Sequence, residues 1–314
     1  INKNCASHKK MVFELKINTG TSNAGISILG ASSNLITISR NKVYGIWSTS
    51  AGGWGAYGIN LGGGNNHVVV NNVIYDILTT NYNSTSTTFQ AFGIRLASGT
   101  GHKIFYNSVN LFGALSGGSA TNCYSSAFVV TATTITGLEI KNNIFNNIQT
   151  STVTTPIFMS MWFPASYNFL NASINNNAYT VSNDAAHFVG RVGTVNYSTL
   201  ANWTAISQVN NPTNDNASVP PINGAAPFIS NTNLNFANNA VTPIESGAVT
   251  TTVTGIDHDA FTRPKAGVNA NTNPDMGAYE FDGLAGVATD AGVAFLVSPA
   301  TNGCYGAAEN LVVS

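Results

Sequence analysis

An aliphatic residue, two spacers, Asn, one spacer and an apolar residue recur through the first half of the chain. The copies are Ile38-x-x-Asn41-x-Val43, Val69-x-x-Asn72-x-Ile74, Ile104-x-x-Asn107-x-Val109, Ile140-x-x-Asn143-x-Phe145 and Ile174-x-x-Asn177-x-Tyr179. Their asparagines are 31, 35, 36 and 34 residues apart. Self-similarity at such a period marks a solenoid. A second track lies upstream of each Asn: Gly25-Ile26-Ser27-Ile28, Gly58-Ile59-Asn60-Leu61 and Gly93-Ile94-Arg95-Leu96, with Phe128-Val129-Val130 and Ile157-Phe158-Met159 as degenerate fourth and fifth members. Both tracks alternate or are β-branched, which predicts strands and not helices.

Stacked coils place equivalent residues one strand spacing apart, about 4.8 Å. Asn tolerates the left-handed or bridge geometry that a bend between strands requires. Its amide both donates and accepts, so a stack of Asn can bond side chain to side chain and satisfy the backbone at the bend. The residues three before and two after each Asn should form apolar stacks inside the coil, each coil depending on its neighbours for burial.

Around these tracks, Met11 to Ile17 alternates as a strand, and Ile1 to Ala6 fits the same skeleton with Asn4, as if a coil had been cut open. A piece of a larger protein is expected. Gly-, Ser- and Thr-rich turns at 47–56, 78–90, 113–126 and 149–155 should project from one side. The repeat fades over 184–250, where Tyr197 to Trp203 predicts a short helix with Ser198 able to cap it. Residues 208–224 read as loops, 282–289 as a linker, and 292–299 as the start of a new β pattern.

Composition narrows the function. Only 8% of the 314 residues are charged and the net charge is −1. Such a chain lacks the Lys and Arg clusters that phosphate binding needs, which excludes a nucleic-acid partner; His8-Lys9-Lys10 reads as a solvated turn. No apolar run reaches the ~18 residues of a membrane span. Cys5, Cys123 and Cys304 show neither metal spacing nor a disulfide framework.

The I-x-x-N-x-I repeat resembles the right-handed parallel β-helix of pectin-lyase-like proteins. Tyr197 to Trp203, Ala226-Pro227-Phe228, Gly255 to Pro264 and Pro274 to Phe281 resemble, in that order, segments of secreted bacterial β-helix proteins, common in large multidomain proteins of the Bacteroidetes type. The closing D-x-G-A-x-E-F, with D-x-D and an Arg before it, is the most specific part; Ala260 stands where a glycine is usual. The tail from Ser298-Pro299 to Glu309-Asn310 resembles the first strands of the Ig-like modules that often follow. The resemblance implies an all-β, right-handed parallel β-helix with the start of a second, Ig-like β domain, at the cell surface or outside the cell.

Candidate chemistry is sparse. Asp76, Glu139 and Asp184 fall in different columns, so the coils lack the carboxylate pair of a glycosidase or the several oxygens of a Ca²⁺-dependent lyase. No catalytic residue and no metal site is assigned to them. His67 and His102 share one repeat position; either they form a metal or catalytic pair, or they are stacked imidazoles, the reading favoured because no carboxylate shares the column. Arg95 aligns with Ser27 and Asn60 and should face outward, either solvated or gripping an acidic sugar. Trp47, Trp54 and Tyr57 flank the first long turn and Trp162 a later one, where aromatics can stack on sugar rings or simply cover the solenoid edge.

Asp257, Asp259, Arg263, Asp275 and Glu280 form the closing cluster. It reads as a structural clamp in which Arg263 forks onto a carboxylate and ties the closing loop to the last coil; a Ca²⁺ site or an acid/base pair is the other reading. The expected organisation is five to six coils over 1–183, a loop-rich part with the clamp over 184–283, and a linker with Ig-like strands over 284–314. The function expected is a structural or adhesive segment, binding polysaccharide or cell-surface glycan through projecting turns and contacting adjacent domains of its own chain. A polysaccharide lyase or glycoside hydrolase is the first alternative. A phage tail-spike-like receptor-binding domain is the second.

Overall fold

A computed structural model describes residues 12–17, 21–50, 52–80, 89–116, 122–152, 155–219, 228–238, 240–253, 255–266, 273–286, 296–298 and 312–313; for 12–17, 122, 296–298 and 312–313 it describes the backbone alone. The opening skeleton around Asn4, His8-Lys9-Lys10, Cys5, Cys304 and the Ala226-Pro227 pair lie outside the described residues. So does the Ig-like tail, apart from an antiparallel pairing of Leu296–Ser298 with Val312–Val313.

Alternating and β-branched sequence builds a parallel β-solenoid with three sheets of six, seven and five strands. The first sheet stacks Val12–Ile17, Lys42–Ser48, Val73–Thr79, Ser108–Leu111, Ile144–Asn147 and Ala178–Val181. The second stacks Asn23–Ile28, Ala56–Leu61, Ala91–Leu96, Asn122–Val130, Thr155–Phe163 and His187–Val192, and ends in an antiparallel strand, Val195–Tyr197. The third stacks Thr37–Ser39, Val68–Val70, Lys103–Phe105, Leu138–Lys141 and Ala172–Asn175. Ile38, Val69, Ile104, Ile140 and Ile174 are register partners down one column. Val43, Ile74, Val109, Phe145 and Tyr179 are partners down another. Both columns are buried in one continuous core. The glycine opening the second track is fixed by close approach: a Cβ on Gly58 would sit 2.5 Å from the Gly93 carbonyl oxygen.

The asparagine column is a ladder. The backbone and side-chain amides of Asn41 donate to Asn72 Oδ1, and the pattern continues through Asn107, Asn143 and Asn177 at 2.9–3.1 Å. Spare amide protons go to carbonyls, as from Asn107 to Val69 and Phe105. One expectation is corrected. The left-handed residue is not the ladder Asn but the one before it: Arg40, Asn71, Tyr106, Asn142 and Asn176 have φ of 53–64°. That turn aims the Asn inward along the stack and sends the preceding side chain outward.

Three further expectations are revised. The fifth member of the second track is Met161-Trp162-Phe163, because Phe128 pairs with Met161 and Val129 with Trp162; Ile157 pairs with Tyr124 instead. Thr155–Phe163 is apolar at almost every position, so periodicity alone could not set its register. The predicted turn at 113–126 gives way to strand from Asn122 onward. The helix, Leu200–Ser207, is capped by Thr199, whose side chain accepts from the Asn202 amide, and not by Ser198.

That helix covers the C-terminal end of the core. Trp203 is fully buried against Phe163 and Phe169. It fits because Gly190 has no Cβ, which would fall 2.0 Å from the indole. Ser218 takes the next rung of the ladder, accepting the Asn177 amide at 3.1 Å. The closing segment is therefore not an end cap on the last coil. It runs lengthwise back along the bend, held by the outward left-handed residues: Asn176 to the Gly247 carbonyl, Tyr106 and Asn142 to Val249, Asn71 to Ile256, and Arg40 to His258. Leu284–Ala285 pairs with Val241–Thr242 at the end of this strap. Among the described residues no helix is long and apolar enough to cross a membrane.

Candidate functional site: an arginine–aromatic face

Several side chains of the second sheet point away from the core. Ser27, Asn60, Arg95, Val129, Trp162 and Arg191 are register partners down one outer column. Beside it run Ala24, Tyr57, Phe92, Ser126, Met159 and Phe188. The rings interlock: Tyr57 stacks on Phe92 at 5.8 Å, Phe92 meets Trp162 edge-on at 6.0 Å, and Tyr124 lies 5.7 Å from Trp162.

Two cavities open along this face. The first, about 530 Å³, is lined by Trp54, Tyr57, Phe89, Asn60, Ser27 and Arg95 among others. The Arg95 guanidinium lies 5.1 Å from the Tyr57 ring centre, and its Nη1 donates to Asn60 Oδ1 at 2.8 Å. Asn60 in turn donates to Ser27 Oγ at 3.0 Å. The second cavity, about 340 Å³, is lined by Tyr124, Val129, Trp162, Pro164, Arg191 and Thr194 among others. The Arg191 guanidinium lies 5.3 Å from the Tyr124 ring and 5.5 Å from Trp162. Burial pulls the pKa of both arginines down from the usual value, with the neighbouring tyrosine opposing it; both remain cations, as guanidinium does in proteins.

Trp54, Tyr57 and Arg95 thus share one cavity and Trp162 lines the next. Tyr57 and Trp162 are strand residues and not loop tips. Trp47 stands apart, in a strand of the first sheet, with its indole N–H on Asp76 at 3.0 Å. Arg191, Tyr124 and Phe89 were not singled out in the sequence. Gly190 stands in the register position of Ile94 and Met161, so Val189-Gly190-Arg191-Val192 breaks the apolar–x–apolar signature of the second track.

The remaining candidates are engaged structurally. His67 and His102 stack at 5.2 Å. Each Nδ1 accepts a backbone N–H, from Ile36 and His67 respectively, and each Nε2 faces a carbonyl, of Gly63 and Ser98. Both are therefore neutral Nε2–H tautomers, and burial holds their pKa below the ordinary value. Glu139 bridges Lys103 and Lys141, and Asp184 pairs with His187.

In the closing cluster Arg263 pairs through Nη1 with Glu280, while Nη2 donates to Asn71 Oδ1 and the Gly277 carbonyl. Its guanidinium lies 4.3 Å from the Tyr106 ring centre. The contact to the carboxylate is thus single and not a two-pronged fork, and the tie is to middle coils and not the last. Asp257 accepts the amides of Asp259, Phe261 and Glu280; Asp275 accepts those of Ser246 and Phe281. Burial, then the charge of Glu280, pushes Asp275 up to about 8. Asp259 lines a small cavity of about 270 Å³ beside the strap. Among the described residues no group of three or more His, Cys, Asp or Glu is placed to hold a metal ion. Cys123 is buried and free, its thiol pushed up to about 11 by burial.

No family model, curated protein or solved structure matches this chain.

Proposed function

We infer that the chain is a structural, adhesive segment of a secreted or cell-surface protein and binds glycans on the outer face of its second sheet. The observation carrying this reading is the pairing of Arg95 and Arg191 with aromatic rings, in open cavities on one outer column. Three strand steps separate the two arginines, about 14 Å at the usual strand spacing. Aromatic faces suit the apolar faces of sugar rings, and convergent polar groups fix their orientation. The site differs from the sequence expectation in place: it lies on the rigid sheet, with only its rim on projecting turns.

The wider reading, a β-helix of pectin-lyase-like type followed by an Ig-like module, is supported by the repeat, by the closing motif and by the antiparallel pair at 296–298 and 312–313. A low charge fraction of 8% suits a surface built of Asn-, Ser- and Thr-lined turns. The lyase or hydrolase reading has less support, because Asp76, Glu139 and Asp184 are committed to Trp47, to lysines and to His187.

A glycan array followed by product analysis on acidic polysaccharides tests this. Binding without new chain ends is expected, and it should fall in Tyr57→Ala and Trp162→Ala. Released oligosaccharides would favour the enzyme reading. An array without any hit would remove the adhesive one.

A further inference from the structure

Arg191 is 5% exposed, yet among the described residues no carboxylate pairs with it. Its Nε donates to the Gly193 carbonyl at 2.9 Å and its Nη1 to Asn196 Oδ1 at 2.6 Å. Both acceptors are neutral, and Nη2 has no partner among the described residues. Arg263, the other deeply buried guanidinium, meets Glu280. Burying a charge without a counter-charge is costly. The Tyr124 and Trp162 rings offset part of that cost through their negative faces, but they carry no formal charge. Nη2 is left to face the cavity that Arg191 lines.

The surroundings say what kind of anion. Trp162 and Tyr124 wall the cavity, and the turns carrying Pro164–Ala165 and Gly193–Thr194 also line it. The antiparallel strand Val195–Tyr197 borders Arg191 through the Arg191–Asn196 pairing. We propose that this cavity receives an anionic residue of an acidic saccharide, its carboxylate or sulfate bonded by Arg191 and its ring laid against Trp162. The proposal rests on the glycan reading and adds the ligand's charge.

Glucuronic acid, glucose 6-sulfate and glucose serve as probes of the two anion sources and the neutral control. Each is titrated into the whole chain at low salt by calorimetry, with tryptophan fluorescence as a second signal. One or both anionic sugars should bind at least about tenfold more tightly than glucose, the factor expected of one charge-assisted bond. Arg191→Gln should weaken that binding about tenfold to a hundredfold, whereas Lys103→Gln, on the third sheet and outside both cavities, should leave it unchanged. Arg191→Gln also deletes the bonds to Gly193 and Asn196, so its melting temperature is read beside the affinity. Trp162→Phe keeps the charge and a ring, so it guards against a misfolded Arg191→Gln; it should weaken binding without abolishing it.

Equal affinity for glucose and the anionic sugars, no binding of either anion, or unchanged affinity in both Arg191→Gln and Trp162→Phe would overturn the proposal. The two readings fail separately. An array positive only for neutral glycans keeps the adhesive function and removes the anion site. Glucuronate or sulfate captured at Arg191 with a blank array does the reverse.

Discussion

Asn142 and Val249 exchange two hydrogen bonds across 107 residues of chain: Asn142 Nδ2 donates to the Val249 carbonyl at 2.7 Å, and Asn142 Oδ1 accepts the Val249 amide at 3.0 Å. The pair fastens the strap to the solenoid. Asn142 also holds φ at 64°, a conformation Asn tolerates better than most residues. Two costs can therefore be separated. Asn142→Gly keeps the backbone and deletes both bonds, and should destabilise by about 2 kcal/mol at roughly 1 kcal/mol per bond. Asn142→Ala should add about 1–2 kcal/mol of left-handed strain. Urea denaturation of the two variants reads both terms; equal losses would place the strain elsewhere.

The ladder and the core predict losses of different kinds. Ile104→Ala, fully buried at the centre of its column, should cost about 2–5 kcal/mol. Asn107→Ala removes the acceptor for two Asn72 donors and the donor for Val69, Phe105 and Asn143. Each buried group left unsatisfied costs about 1–3 kcal/mol, so this loss should equal or exceed that of Ile104→Ala although fewer apolar atoms go. A loss below about 1 kcal/mol would mean that water satisfies the bend.

What the sequence disclosed follows from what repeats. The ladder was legible because the same residue type is needed at every rung. The left-handed position beside it was not, since Arg40, Asn71, Tyr106, Asn142 and Asn176 share a backbone conformation and not a side chain. The strap escaped for a related reason: one or two bonds from each of these varied residues hold it, at separations such as 107 and 185 residues, and no local pattern encodes them. The outer face was half visible. Arg95 lay in a regular copy of the second track, whereas Arg191 lies where the repeat fades, and Tyr124 sits in a polar stretch that reads as a turn.

The histidine pair predicts a loss of stability in mild acid. Burial holds the folded pKa of His67 and His102 below the ordinary 6.5, and stacking adds mutual repulsion once either is charged. The unfolded chain then binds more protons than the native one as pH falls through about 6.5. The pair's contribution is thus fully present above that pH and declines below it. His67→Gln/His102→Gln should flatten the melting temperature between pH 5 and 7. A slope unchanged by the double variant would assign the acid response to other groups.

The closing cluster predicts the opposite slope. Three buried carboxylates, Glu245, Asp275 and Glu280, share the neighbourhood of one guanidinium, Arg263. Glu280 is the partner of Arg263, while Asp275 is pushed up to about 8 by burial and by the charge of Glu280 and shares a hydrogen bond with Glu245. The folded state therefore holds a proton that the unfolded chain releases near pH 4. Stability from this group is highest in acid and falls as pH rises towards 8. Asp275→Asn should remove that decline, read as melting temperature against pH from 5 to 9. Arg263→Ala strands Glu280 and should cost about 3–5 kcal/mol, whereas Arg263→Met/Glu280→Leu removes both charges and should cost less than the single variant. Chelator should leave the melting temperature unchanged, because both oxygens of Asp257 and of Asp275 already accept backbone amides. A rise in melting temperature on adding Ca²⁺, lost in Asp257→Asn, would turn the clamp into a metal site.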